Sequence, residues 1–160
     1  MKADAFEGGH RIPFIVRWPG KIAPGTQCSE TISLTNLLAT CAEIVKTGLA
    51  DNEGEDSHSI LPLLLGNISS YKLPEALIQQ SSRGIFSVRK GEWKLIEGLG
   101  SGGFSTPVII QPKPGEATGQ LYNLDDDPSE TKNLFLQYPE KVKELGSILK
   151  KFQDTGRSRN

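Results

Sequence analysis

The chain has 160 residues, 36% of them hydrophobic and 23% charged, enough for one ordinary domain or a small domain with a piece of another. Its 18 basic and 19 acidic residues leave a net charge of −1, and no basic stripe reads as a nucleic-acid or anionic-membrane surface. The longest apolar run, Ile60 to Leu65, falls far short of the ~20 residues needed to span a bilayer, and Met1 is followed by polar residues rather than the apolar core of a signal peptide.

In chain order, Gly8-Gly9 reads as a loop feeding a strand over 12–18, where Phe14, Ile15, Val16 and Trp18 give a continuous apolar run of the kind buried on both faces of a larger sheet. Pro19-Gly20 and Ala23-Pro24-Gly25 mark turns. Leu37, Leu38, Cys41, Ile44 and Val45 recur at three- and four-residue spacing and predict a helix over 34–46, capped by Ser33 or Thr35 and ended by Gly48, with Cys41 buried as a small hydrophobe. Cys28 and Cys41 lack metal-ligand spacing, and spacing alone leaves open whether they form a disulfide. Residues 50–56 are polar and read as a loop. Ser59 is placed to cap one helical turn that tolerates Pro62.

Beyond residue 70 the character changes. Segments 76–80, 84–89 and 92–97 read as an antiparallel meander, with Lys90-Gly91 as a tight hairpin signal. Trp93 and Leu95 alternate with Lys94 and Ile96, as in a sheet with one face covered. A Gly-rich stretch from Leu99 opens a surface loop without the lysine or the context of a phosphate-binding loop. Residues 120–124 make a fourth strand. Val142, Leu145, Leu149 and Phe152 form one stripe of a helix over 139–154 that covers a sheet face. Asn67-Ile68-Ser69 is a glycosylation-type triplet that counts only in an exported eukaryotic chain.

Three separated segments share one pattern. They are Lys2-Ala3-Asp4-Ala5-Phe6-Glu7-Gly8-Gly9-His10-Arg11-Ile12-Pro13 continuing to Trp18-Pro19-Gly20; Ser57 to Gly66; and Trp93-Lys94-Leu95-Ile96 with Leu121-Tyr122-Asn123-Leu124-Asp125-x-Asp127-Pro128-x-Glu130-x-x-Asn133-Leu134. In order and spacing they resemble the C-terminal part of the type I, formylglycine-dependent sulfatases, of the alkaline phosphatase superfamily. Glu55-Asp56 before Ser57 departs from that pattern at a turn.

The resemblance implies an α+β chain: a small antiparallel sheet of about four strands packed by a C-terminal helix, preceded by a strand and a helix of the large α/β sulfatase domain. Residues 1–70 then belong to the catalytic domain and 71–160 to the C-terminal subdomain. It also implies a sulfuric ester hydrolase acting on aryl or carbohydrate sulfates, with calcium and formylglycine in the full-length parent and no cofactor in this segment. The missing N-terminal sulfatase region is the implied structural partner, and export to the periplasm or the outside is the implied localisation.

Lys2 falls where the family's sulfate-contacting lysine lies, five residues before Glu7, and is the implied catalytic residue. An ammonium there stabilises charge developing on sulfate oxygens. His10 is the implied substrate-binding residue, or else hydrogen-bonds within the Gly-Gly turn. Arg11 is expected to pair with an acid, Glu7 among the candidates. Neither cysteine sits in the Cys/Ser-x-Pro/Ala-x-Arg nucleophile motif, and Asp125-Asp126-Asp127 matches a turn rather than a calcium site. The segment alone is therefore expected to be inactive. Two alternatives stay open: a non-catalytic binding module derived from the fold, and part of a related phosphonate or phosphate monoester hydrolase.

Overall fold

The structure, a computed structural model, describes residues 1–159. It forms two compact units. One combines Met1–Ile12 with Ala76–Asp154. The other combines Pro13–Glu75 with the residues from Thr155 onward.

The first unit is built on four antiparallel strands in sequential order: β1 (Leu77–Gln80), β2 (Phe86–Lys90), β3 (Trp93–Ile96) and β4 (Gln120–Asn123). Lys90 faces Trp93 across a two-residue turn whose first position is Gly91 at φ 59°, a conformation glycine adopts without strain. Alternation along β3 sends Trp93 and Leu95 to one face and Lys94 and Ile96 to the other. On the first face, Val88, Leu95 and Leu121 pack with Leu145, Ile148, Leu149 and Phe152 of α4 (Pro139–Thr155). Each such buried apolar side chain is worth ~1.5–3 kcal/mol.

The second face is covered as well, which corrects the expectation of a single covered face. Ala5 and Phe6 pack there with Ile85, Ile96, Tyr122 and Leu124, and Lys94 is 0% exposed. Residues 1–12 thus form a second layer over the sheet. They include α1 (Glu7–His10), a single turn within the Glu-Gly-Gly motif. The loop that opens at Leu99 is buried at its start, over residues 100–103, and exposed at Phe104 and over most of 106–118, as a surface loop.

The second unit holds α2 (Asn36–Ile44), α3 (Leu61–Leu64) and a 3-10 turn at Ile68–Ser70. The expected helix is present, and its start is held both locally by Ser33 and from a distance by Ser57. Ser57 Oγ accepts from the Ala39 N–H at 2.8 Å and donates to the Thr35 carbonyl at 2.6 Å, while Ser33 Oγ accepts from the Thr35 N–H at 3.3 Å and Thr35 makes no side-chain cap. Its end turns at Lys46, in the left-handed region at φ 58°, with the Thr47 N–H reaching back to the Ala42 carbonyl at 3.0 Å. Lys46 therefore takes the place expected of Gly48. The buried side of α2 carries Asn36, Thr40 and Ala42, whereas Leu37, Leu38, Cys41, Ile44 and Val45 are exposed, so the expected burial of Cys41 is corrected. Both cysteines are free thiols.

Residues 12–18 form no strand. They make no ladder with any other segment among the described residues, and Ile15 is 92% exposed. The physical reason is the lack of a ladder partner: the four strands among the described residues already belong to the other unit's sheet. Near the C-terminus, Arg159 donates to the carbonyls of Ala50 and Glu53, both at 2.8 Å, and the Ser158 N–H donates to Asp56 Oδ1 at 2.8 Å. These bonds fasten the tail to the acidic loop.

Candidate functional site

The motif residues of the first unit converge on the second face of the sheet. Asp4 is fully buried. Its carboxylate accepts from the N–H groups of Phe104 (2.7 Å) and Ser105 (3.1 Å), from the Ser105 hydroxyl (2.5 Å) and from the Met1 amino group (2.5 Å). Burial pushes this carboxyl up, and the Met1, Ser105 and Phe104 donors more than reverse that, holding it well below the usual carboxylate range. The backbone on both sides is held too. The Ser82 N–H donates to the Ala3 carbonyl at 3.0 Å, and the Ala5 N–H donates to the Ser101 carbonyl at 2.7 Å.

The glycines explain why this packing is possible. A Cβ on Gly9 would overlap the Asp4 carbonyl, and one on Gly103 would overlap the Ala3 carbonyl and the Asp4 carboxylate. The second glycine of Glu-Gly-Gly and the Gly-rich stretch are therefore close-approach positions that let two backbones meet around residues 3–4.

Below this lies a buried ion cluster. Lys94 Nζ sits 3.0 Å from Glu7 Oε1 and 3.0 Å from Glu130 Oε1. Arg89 Nη1 lies 3.1 Å from Glu7 Oε2, and the Glu7 N–H donates to Glu130 Oε2 at 2.5 Å. Formal charges cancel, two positive against two negative. Glu130 reaches this place from a backbone at φ 55°, in the left-handed region that a glutamate seldom occupies. Burial pushes the Glu130 carboxyl up, opposed by the Lys94 charge and the Glu7 N–H. The expected Glu7–Arg11 pairing is corrected: Glu7 pairs with Arg89 and Lys94, and Arg11 is exposed.

Lys2 and His10 flank this anchored stretch. Lys2 lies on an exposed turn between Met1 and Ala3, the latter at φ 73°. His10 closes α1, half-buried, and its Nε2 is enclosed without a hydrogen-bond partner among the described residues. Burial lowers its pKa, and the Lys94 charge lowers it further. An open cavity of about 410 Å³ runs beside the segment, lined by Met1, Asp4, Phe6, Gly8, Ser105 and the turn Pro128 to Glu130.

Sequence reasoning missed Lys94, Glu130, Asp4 and Ser105. Glu130 and Lys94 stand inside the third motif segment, and a lysine in a strand flanked by apolar residues was the available signal. Among the described residues no group of three or more His, Cys, Asp or Glu side chains converges to hold a metal, and neither cysteine lies in a nucleophile motif. No helix among the described residues is long and apolar enough to cross a membrane.

No family model matches the chain. It is 36% identical over 148 residues to an N-acetylgalactosamine-6-O-sulfatase of Bacteroides thetaiotaomicron, which covers 92% of this chain and 28% of that protein. It is 32% identical to arylsulfatase A of Bos taurus, covering 95% and 31%. Among solved structures, a protein from work on glycosaminoglycan metabolism by Bacteroides thetaiotaomicron superposes with a TM-score of 0.77 at 36% identity, over 96% of this chain and 31% of that one. A structure in complex with D-glucosamine-2-N,6-O-disulfate shares the fold at a TM-score of 0.61 and 19% identity. The chain thus spans about three-tenths of the length of the curated relatives it matches.

Proposed function

The chain belongs to the sulfatase family, and we propose that it acts as the C-terminal segment of a sulfate ester hydrolase, closing one side of the substrate pocket and supplying Lys2 to the sulfate. The observation that carries this reading is the match to sulfatases over nearly the whole chain, with Lys2 exposed immediately before the anchored stretch from Ala3 to Glu7. Ester cleavage puts negative charge on the leaving oxygen and on the remaining sulfate oxygens. An ammonium already in place stabilises that charge without reorganising. His10, enclosed and shifted toward its neutral form, is suited to hydrogen-bond a substrate hydroxyl.

In the complete enzyme, residues 1–70 would finish the large α/β domain, apart from the layer that 1–12 lay over the sheet, and 71–160 would form the subdomain. The region supplying the nucleophile and the calcium ligands would cover the exposed apolar side of α2 and pair with residues 12–18. The name of the Bacteroides relative favours a carbohydrate sulfate over an aryl sulfate as substrate. Export fits the same reading.

The test is direct. The purified 160-residue chain is expected to give no turnover of an aryl or sugar sulfate, with or without calcium. Calcium-dependent hydrolysis by the pure chain would contradict the proposal. A second reading, a free-standing binding module, is favoured by the same exposed apolar face. It requires a monomeric or defined oligomeric chain in solution, whereas a segment lacking its partner region is expected to self-associate.

A further inference from the structure

Lys94 has no counterpart in the chemistry proposed for Lys2. Its ammonium is 0% exposed on β3 and lies between two carboxylates, one brought from the N-terminal segment (Glu7) and one from the turn after β4 (Glu130). Cohesion alone does not require such a group. Well-packed apolar side chains of similar volume hold two layers together as well as a buried ion pair does, because desolvation offsets much of the attraction. A charge cluster adds direction. Glu7 is fixed by its side chain, through Lys94 and Arg89, and by its backbone N–H, through Glu130. Glu130 accepts a left-handed backbone to reach that N–H. The stretch so fixed, with Asp4 held at its other end by Phe104 and Ser105, has Lys2 just before it, across Ala3, and His10 just after it, across Gly8 and Gly9.

We propose that Lys94 and Glu130 are positioning residues that set the place of Lys2, and of His10, at the sulfate. This rests on the reading of Lys2 as the sulfate-contacting residue. The cluster acts through Glu7: it holds the carboxylate and the N–H at one register on the sheet, and thereby limits where the Lys2 ammonium reaches.

The experiment is a double-mutant cycle in the complete sulfatase expressed from the whole reading frame, reading kcat/KM on a sulfate ester. Lys94→Met is expected to lower kcat/KM by about tenfold or more, and to have little further effect once Lys2→Ala is present, because both remove the same placed charge. Additive losses in a background where Lys2→Ala is itself strongly impaired would overturn the positioning role alone. No loss from Lys2→Ala would overturn the reading of Lys2 and the positioning role with it. Should Lys94→Met fail to fold, Glu130→Gln keeps the shape and the acceptor for the Glu7 N–H while removing one charge. For either variant, hydrogen exchange in the 160-residue chain is expected to speed up at residues 2–10 with strands β2 and β3 unchanged. Unchanged exchange at 2–10 would overturn the proposal.

Discussion

Gly9 and Gly103 are ordinary turn residues by composition, yet both are excluded from carrying a side chain by the same Ala3–Asp4 backbone. Gly103→Ala is therefore expected to destabilise the chain by ~1–3 kcal/mol, read as a lower urea midpoint with an unchanged slope. The two histidines set the acid side of the stability profile. Each has a folded pKa below that of an ordinary imidazole, chiefly through burial, so each favours the folded state while neutral. Their contribution is present above the unfolded pKa and is lost as pH falls through it. Glu130 works with the opposite sign: its raised pKa makes the folded state bind a proton more readily as pH falls. A fall in Tm from pH 7.5 toward 5.5 is expected, and His10→Asn with His58→Asn is expected to flatten it. An equal slope in that double variant would show that other groups carry it. A lysine among apolar strand residues was a signal, but the partners of Lys94 were not legible in the sequence, because the face to which alternation along β3 assigns it is covered by a segment 87 residues away.

At the scale of elements, the hairpins and α4 were legible because their signals are local: Gly91 at a tight turn, and an apolar stripe at helical spacing. Leu149, fully buried against the sheet, should cost ~2–5 kcal/mol when changed to Ala, measured by thermal or urea unfolding. The helix α2 was legible as a helix, but its buried side was not. Periodicity finds the stripe and not what covers it, and here the stripe is exposed. Its C-terminal turn makes a separate prediction. Lys46 holds a left-handed backbone that glycine adopts without strain, so Lys46→Gly is expected to stabilise the chain by ~0.5–1 kcal/mol, seen as a higher urea midpoint. A lower midpoint would mean that the Lys46 side chain contributes more than its backbone costs. Residues 12–18 have strand composition without a strand, since a β-strand is a relation between segments and no other segment among the described residues pairs with it.

Over the whole molecule, the sequence patterns and the fold point to the same family, and the relatives matched are about three times as long as this chain. On the proposed reading, the exposed apolar residues of α2 and 12–18 and the free end of the Lys2 segment have a common account: they would face the region that carries the nucleophile and the metal ligands. The most direct measurement is the nucleotide sequence upstream of the Met1 codon. The account predicts an open frame encoding a Cys- or Ser-x-Pro/Ala-x-Arg motif with an Asp-rich segment before it. An in-frame stop codon with no such motif upstream would contradict it, leaving the sulfatase pattern as a record of ancestry rather than of activity.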